Sequence, residues 1–138
     1  GQTLICVTLN DGDDWNDHEK LLNYGFETYP RQVLCREGEV MGCVAVEGSL
    51  IPTMTVAAKG ELGYPLRAGE APVREVELLR SASAPLPPGV QLGVIRWRLN
   101  GEVIAQMPLV SQGGAGLDVR EPMTFWEKVR ALLGGREN

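Results

Sequence analysis

Residues 90–110, VQLGVIRWRLNGEVIAQMPLV, place two apolar, β-prone runs on either side of Asn100-Gly101. Val, Ile and Trp suit a pleated, half-buried surface, and Asn-Gly between two such runs is a strong short-range hairpin signal. Two turn lengths compete. A two-residue turn sets Trp97 opposite Ile104 and Arg98 opposite Val103, which mixes charge into the apolar row. A three-residue loop, Leu99-Asn100-Gly101, pairs Arg98 with Glu102, Trp97 with Val103 and Ile95 with Ala105. That register gathers Ile95, Trp97, Val103, Ala105, Met107 and Leu109 on one face. A slip of one residue turns every side chain to the other face, so the buried row decides register. The expectation is the three-residue loop, with a left-handed Gly101 in a bulge.

Outward from this hairpin the same texture continues. Gln32–Arg36, Glu39–Val46, Thr53–Ala58 and Val73–Arg80 read as strands before Val90–Leu99 and Glu102–Val110. Within Thr53–Ala58, strict alternation puts Met54, Val56 and Ala58 on one face. Short strands with no helix between them predict a mainly β fold, an antiparallel sandwich-like or barrel-like domain over residues 30–119. A hairpin at Arg36-Glu37-Gly38-Glu39 sets Cys35 opposite Glu39 or Val40. At about 3.3 Å per residue it then lies ~10 Å from Cys43, beyond disulfide reach. Cys35 and Cys43 therefore read as small buried thiols, and with Cys6 the three cysteines are too few and too irregular for a disulfide framework. Gln112-Gly113-Gly114-Ala115-Gly116 reads as a flexible linker.

The ends have a different character. Thr3–Leu9 is a near-continuous apolar run, typical of a strand covered on both faces. Helical sequence runs from about Asn16 to Tyr29, with Leu22, Phe26 and Tyr29 on one stripe. Asn16 and Glu19 suggest a capping box, and Pro30 ends the helix. No strands or helices of that class follow. Residues 1–29 thus read as the closing strand and helix of an α/β domain, and the chain as beginning partway through a larger protein. A bare apolar edge recruits other chains, so residues 3–9 are a candidate for self-association.

Residues 120–138 read as an amphipathic tail helix. Thr124 caps it with Glu127 reaching back, and Gly134-Gly135 stops it. Phe125, Trp126, Val129, Leu132 and Leu133 form its apolar stripe. A helix this short is marginal alone, so the stripe docks on something. It either packs on its own β domain or lies in a membrane interface with Trp126 at headgroup level.

Composition excludes several classes. Hydrophobic residues at 43% and charged residues at 22% describe a globular chain, with room in 138 residues for one domain and an appendage. No apolar run approaches the roughly 18 residues of a membrane span. The first nine residues lack the basic start and long apolar stretch of a secretory signal. A net charge of −5, with no clustered cations, argues against nucleic acid as partner.

Catalytic motifs are also missing. A serine nucleophile needs a base, and His18, the single histidine, reads as a solvated first-turn residue between Asp17 and Glu19. Ser49, Ser81, Ser83 and Ser111 are followed three residues on by Pro52, Ala84, Leu86 and Gly114, so none begins Ser-x-x-Lys. None of Lys20, Lys59 and Lys128 begins Lys-Thr-Gly. The acidic group Asp11, Asp13, Asp14, Asp17 and Glu19 breaks the calcium-loop pattern at Trp15 and Asn16, and complements a helix dipole instead. No spacing suits zinc, and no glycine-rich turn cradles phosphate. No catalytic, cofactor-binding or metal-ligating residue is assigned.

Gly-Gln-Thr-Leu-Ile-Cys-Val-Thr-Leu at the start, Trp15-Asn16-Asp17 and Lys20-Leu21-Leu22-Asn23-Tyr24-Gly25-Phe26 resemble the end of the catalytic domain of low-molecular-mass penicillin-binding proteins. These are serine-type D-alanyl-D-alanine carboxypeptidases. Pro85-Leu86-Pro87-Pro88-Gly89-Val90-Gln91-Leu92-Gly93, Leu99-Asn100-Gly101 and Ile104-Ala105-Gln106-Met107-Pro108-Leu109 resemble later strands of that family's β-rich C-terminal domain. Phe125-Trp126 is similar to its membrane-anchoring tail. The resemblance implies a non-catalytic spacer and anchor on the extracytoplasmic face of the cell membrane. Peptidoglycan would be met by a catalytic domain outside this chain. The alternative is a free-standing β-sandwich interaction module for wall or protein partners.

Overall fold

The computed structural model describes residues 2–10 and 12–118. Among the described residues one helix, α1 (Asp14–Thr28), precedes eight strands. These are β1 (Arg31–Cys35), β2 (Val40–Glu47), β3 (Thr53–Ala58), β4 (Leu62–Pro65), β5 (Val73–Leu78), β6 (Ser81–Ser83), β7 (Gln91–Leu99) and β8 (Glu102–Ser111). The mainly β expectation holds. Six strands form one sheet in the order β5-β7-β8-β3-β2-β6, and β1 pairs with β4 in a second, two-stranded sheet. All pairings are antiparallel except β2 with β6.

The larger sheet must curl. β5 and β6 lie at its opposite edges, yet only Leu79 and Arg80 separate them in sequence. Five strand spacings of a flat sheet span about 24 Å, whereas three α-carbon steps reach at most roughly 11 Å. The edges are brought together accordingly. Arg74 of β5 meets Glu39, just before β2, at 3.1 Å, and the Leu78 side chain lies over Gly42 of β2. The enclosed face carries the core: Val44, Val46, Met54, Val56, Leu92, Ile95, Trp97, Met107 and Leu109. Met54, Val56 and Ala58 are all buried, as their alternation predicts.

The β7–β8 hairpin corrects the expected register. Asn100 and Gly101 both have positive φ, 52° and 87°, and Leu99 faces Glu102 with Arg98 facing Val103. This is the two-residue turn, whose twist suits the flanking strands. The mixed-charge objection fails because the ladder is not uniform. Ile104 is an extra residue, and beyond it Trp97 faces Ala105 and Ile95 faces Met107. The bulge restores the apolar row inward and leaves Val103 44% exposed.

Three further expectations change. Thr3–Leu9 forms no strand, because no described strand lies alongside to receive its backbone hydrogen bonds. The Arg36–Glu39 turn forms, with Glu39 N–H donating to Arg36 O at 3.2 Å, but β1 pairs with β4 and not with β2. The glycine-rich segment is no free linker. Leu86 and Ala115 exchange two backbone hydrogen bonds of 2.8 Å, and Gln112 N–H donates to Thr55 O at 3.0 Å. Ala115 is buried as part of the core, so the segment is a strap held to the sheet.

Candidate interaction surfaces

The first surface is built by residues 2–9 and α1. α1 begins two residues earlier than expected, with Asp13 at its N-cap. Asn16 therefore lies inside the helix, donating to Asp13 Oδ1 at 2.6 Å, and the Asn16/Glu19 box does not form. Asp14 and Asp17 occupy the first turn, where the dipole favours acids. Residues 2–9 run extended beside the helix and alternate in burial. Leu4, Cys6 and Thr8 are half-buried, and Leu4 packs on Gly25. Thr8 Oγ1 and His18 Nε2 share a hydrogen bond of 3.1 Å, so His18 is half-buried rather than solvated. Gln2 Nε2 donates to Tyr29 O at 2.9 Å and ties the segment to the helix end.

The opposite face of that segment is bare: Ile5, Val7 and Leu9 are exposed. Between segment and helix lies an open groove of ≈ 660 Å³ lined by Leu4, Cys6, Trp15, His18, Leu22 and Phe26. α1 buries no residue, and Phe26, on the apolar stripe, is 45% exposed. Leu22 and Tyr29 on the same stripe are half-buried, and Leu4 and Cys6 face the stripe only across the open groove.

The thiols differ sharply. Cys35 is buried in the core and Cys43 is exposed, which corrects the uniform buried reading. Burial pushes the Cys35 thiol up to about 11, and the Glu39 carboxylate beside it acts in the same direction. Glu39 is itself held below the usual carboxylate range, chiefly by the Arg36 N–H it accepts. Native protein at pH 8 should lose Cys43 quickly to a disulfide reagent, and Cys35 only on unfolding. Linkage sets a second expectation. The unfolded thiol ionises near 9.0 and the folded one near 11, so stability falls as pH rises across that window. Urea titrations of the wild type and Cys35→Ala check this. Equal alkaline slopes in both would sink it.

The outer face of β5 and β7 is a charge ladder. Arg96 meets Glu77 at 2.7 Å and Arg98 meets Glu75 at 2.9 Å. These partly exposed pairs add about 0–1 kcal/mol each, and they commit their cations to carboxylates. Among the described residues no three metal-ligating side chains gather.

A second apolar surface lies at the β2–β3 turn, which sequence reading passed over. Val46 N–H donates to Pro52 O at 2.9 Å, closing the turn, and Ile51 N–H donates to Ser49 Oγ at 3.1 Å. Leu50 and Ile51 project from it, 60% and 45% exposed. The strap returns here: Asp118 N–H donates to Gly48 O at 2.8 Å, which sets Leu117, 55% exposed, beside the turn. The expected membrane-contact residues Phe125, Trp126, Val129, Leu132 and Leu133 lie outside the described residues.

No family model and no curated protein matches this chain. Solved structures do. Penicillin-binding protein 5 from Haemophilus influenzae is similar over 73% of this chain and 30% of its own, at 21% identity and a TM-score of 0.64. A peptidoglycan synthesis regulatory factor from Streptococcus pneumoniae is similar over 77% of this chain and 34% of its own, at 14% identity and 0.61. A D-alanyl-D-alanine carboxypeptidase from Francisella tularensis is similar over 74% and 26%, at 18% identity and 0.51. The chain thus spans about a third or less of these proteins, and its fold is the fold of that part of them.

Proposed function

We propose that this chain is the non-catalytic C-terminal region of a serine-type D-alanyl-D-alanine carboxypeptidase that trims peptidoglycan stem peptides. The fold shared with the three solved structures carries this reading. The catalytic serine belongs to a domain outside the chain. There it attacks the terminal peptide bond, releases D-alanine and is freed from the acyl-enzyme by water. The β domain serves as a spacer, since a curled sheet around one packed core transmits position without bending. The tail stripe Phe125, Trp126, Val129, Leu132 and Leu133 anchors it reversibly to the extracytoplasmic face of the cell membrane. On this reading residues 2–9 meet a strand of the catalytic domain through their backbone edge, and their bare Ile5, Val7 and Leu9 face packs on that domain's next layer; pairing with a second copy is the form it takes when that domain is absent.

Fluorescent penicillin tests the reading. Antibodies raised against residues 30–118 should recover, from labelled cells, a protein carrying the covalent label, lost when excess unlabelled penicillin is added first. Recovered protein without label overturns the assignment. The 138-residue chain by itself should show no acyl adduct by intact mass, because neither Ser-x-x-Lys nor Lys-Thr-Gly occurs in it.

A further inference from the structure

We infer that the β2–β3 turn and the end of the strap form a second bilayer contact, made by Leu50, Ile51 and Leu117. This rests on the tail-anchor reading above and adds to it a site within the β domain. Single exposed aliphatic residues need no explanation. Here Leu50 and Ile51 stand exposed on one projecting turn, and the Asp118 to Gly48 hydrogen bond brings the strap residue next to exposed Leu117 to that same turn, so three apolar side chains gather at one tip. The turn is held in shape by the bonds from Val46 to Pro52 and from Ile51 to Ser49, so the tip is preorganised.

The path of the chain selects the occupant. The strap leaves the sheet at this tip, and Phe125 follows Asp118 by seven positions. Seven residues reach at most about 25 Å, so a tail lying in a bilayer interface keeps the tip within that distance of the same surface. Glu47 and Asp118 flank the tip and disfavour anionic headgroups, so apolar insertion and not charge drives this contact.

The test uses the full chain with Cys6→Ser and Cys43→Ser, leaving the buried Cys35, and an environment-sensitive fluorophore placed through Leu50→Cys. Vesicles contain phosphatidylethanolamine and phosphatidylglycerol. Emission should shift to the blue on adding vesicles, while a probe placed through Glu77→Cys on the β5 edge stays unchanged. Leu50→Ser, Ile51→Ser and Leu117→Ser combined should weaken vesicle binding at least about tenfold, by an amount that salt does not change. All three side chains are exposed, so the fold should survive, as circular dichroism can verify. If the chain binds but the position-50 probe is silent and the triple variant binds equally, this contact is wrong and the tail anchor stands. If the probe is already blue-shifted without vesicles, protein covers the tip and the inference fails. If the unaltered chain does not bind, both fail together.

Discussion

Leu109→Ala should cost about 2–5 kcal/mol of stability, the range for emptying a fully buried leucine site. Leu109 lies on β8, between Gly93 of β7 and Ala58 of β3, and is 0% exposed. It shares the core with Val56 of β3 and Ile95 of β7, side chains on two different strands that cannot both collapse into the space left. Domains of this size have only about 5–15 kcal/mol in total, so the loss is a large share. Urea unfolding followed by tryptophan fluorescence measures it, with Trp97, 2% exposed, as reporter. The midpoint should fall with little change in slope. Leu50→Ala is the control, and should stay within about 0.5 kcal/mol because Leu50 is exposed. Equal effects at the two positions would mean that the enclosed face of the sheet is not the core.

Gly93→Val should be comparably damaging for a different reason. Gly93 pairs with Leu78 on one side and Leu109 on the other. A β-carbon added there would stand 2.5 Å from the Glu77 carbonyl oxygen and 3.3 Å from the Leu78 α-carbon. Backbone cannot yield as a flexible side chain does, so β5 must move away from β7. Overpacking of this kind costs about 1–3 kcal/mol, and the lost ladder bonds add to it. Because β5 is an edge strand whose approach to β2 closes the sheet, the damage should be local. Amide exchange should rise along Val73–Leu78 well before it rises along β8. Gly101→Ala tests the argument from the other side. No atom lies within 4 Å of its added β-carbon, and only the positive φ is strained, so exchange along β5 should not change. A Gly93→Val protein with normal protection across β5 would refute the close approach.

Local features of the sequence determined much of this fold. Alternation at Met54, Val56 and Ala58 identified a strand and its buried face, because the two-residue period needs no knowledge of the partner. Pro30 located the helix end, and Asn100-Gly101 located the tightest turn, because both act through their own backbone. The two strands missed, Leu62–Pro65 and Ser81–Ser83, are short and carry Gly, Pro or Ser, so neither period nor propensity marks them.

What the tertiary structure alone decided is non-local. The bulge at Ile104, the pairing of β1 with β4 and the parallel pairing of β6 with β2 all depend on strands that propensity cannot choose between. The glycine strap reads as loose until Leu86 supplies its hydrogen-bond partner, 29 positions earlier. The apolar run Thr3–Leu9 shows the converse. It has a strand's composition and alternating burial, yet stays unpaired because a strand exists only where another offers its backbone. The tip formed by Leu50, Ile51 and Leu117 could not be read either, since residues 66 positions apart become neighbours only when one hydrogen bond, from Asp118 to Gly48, joins the strap to the turn.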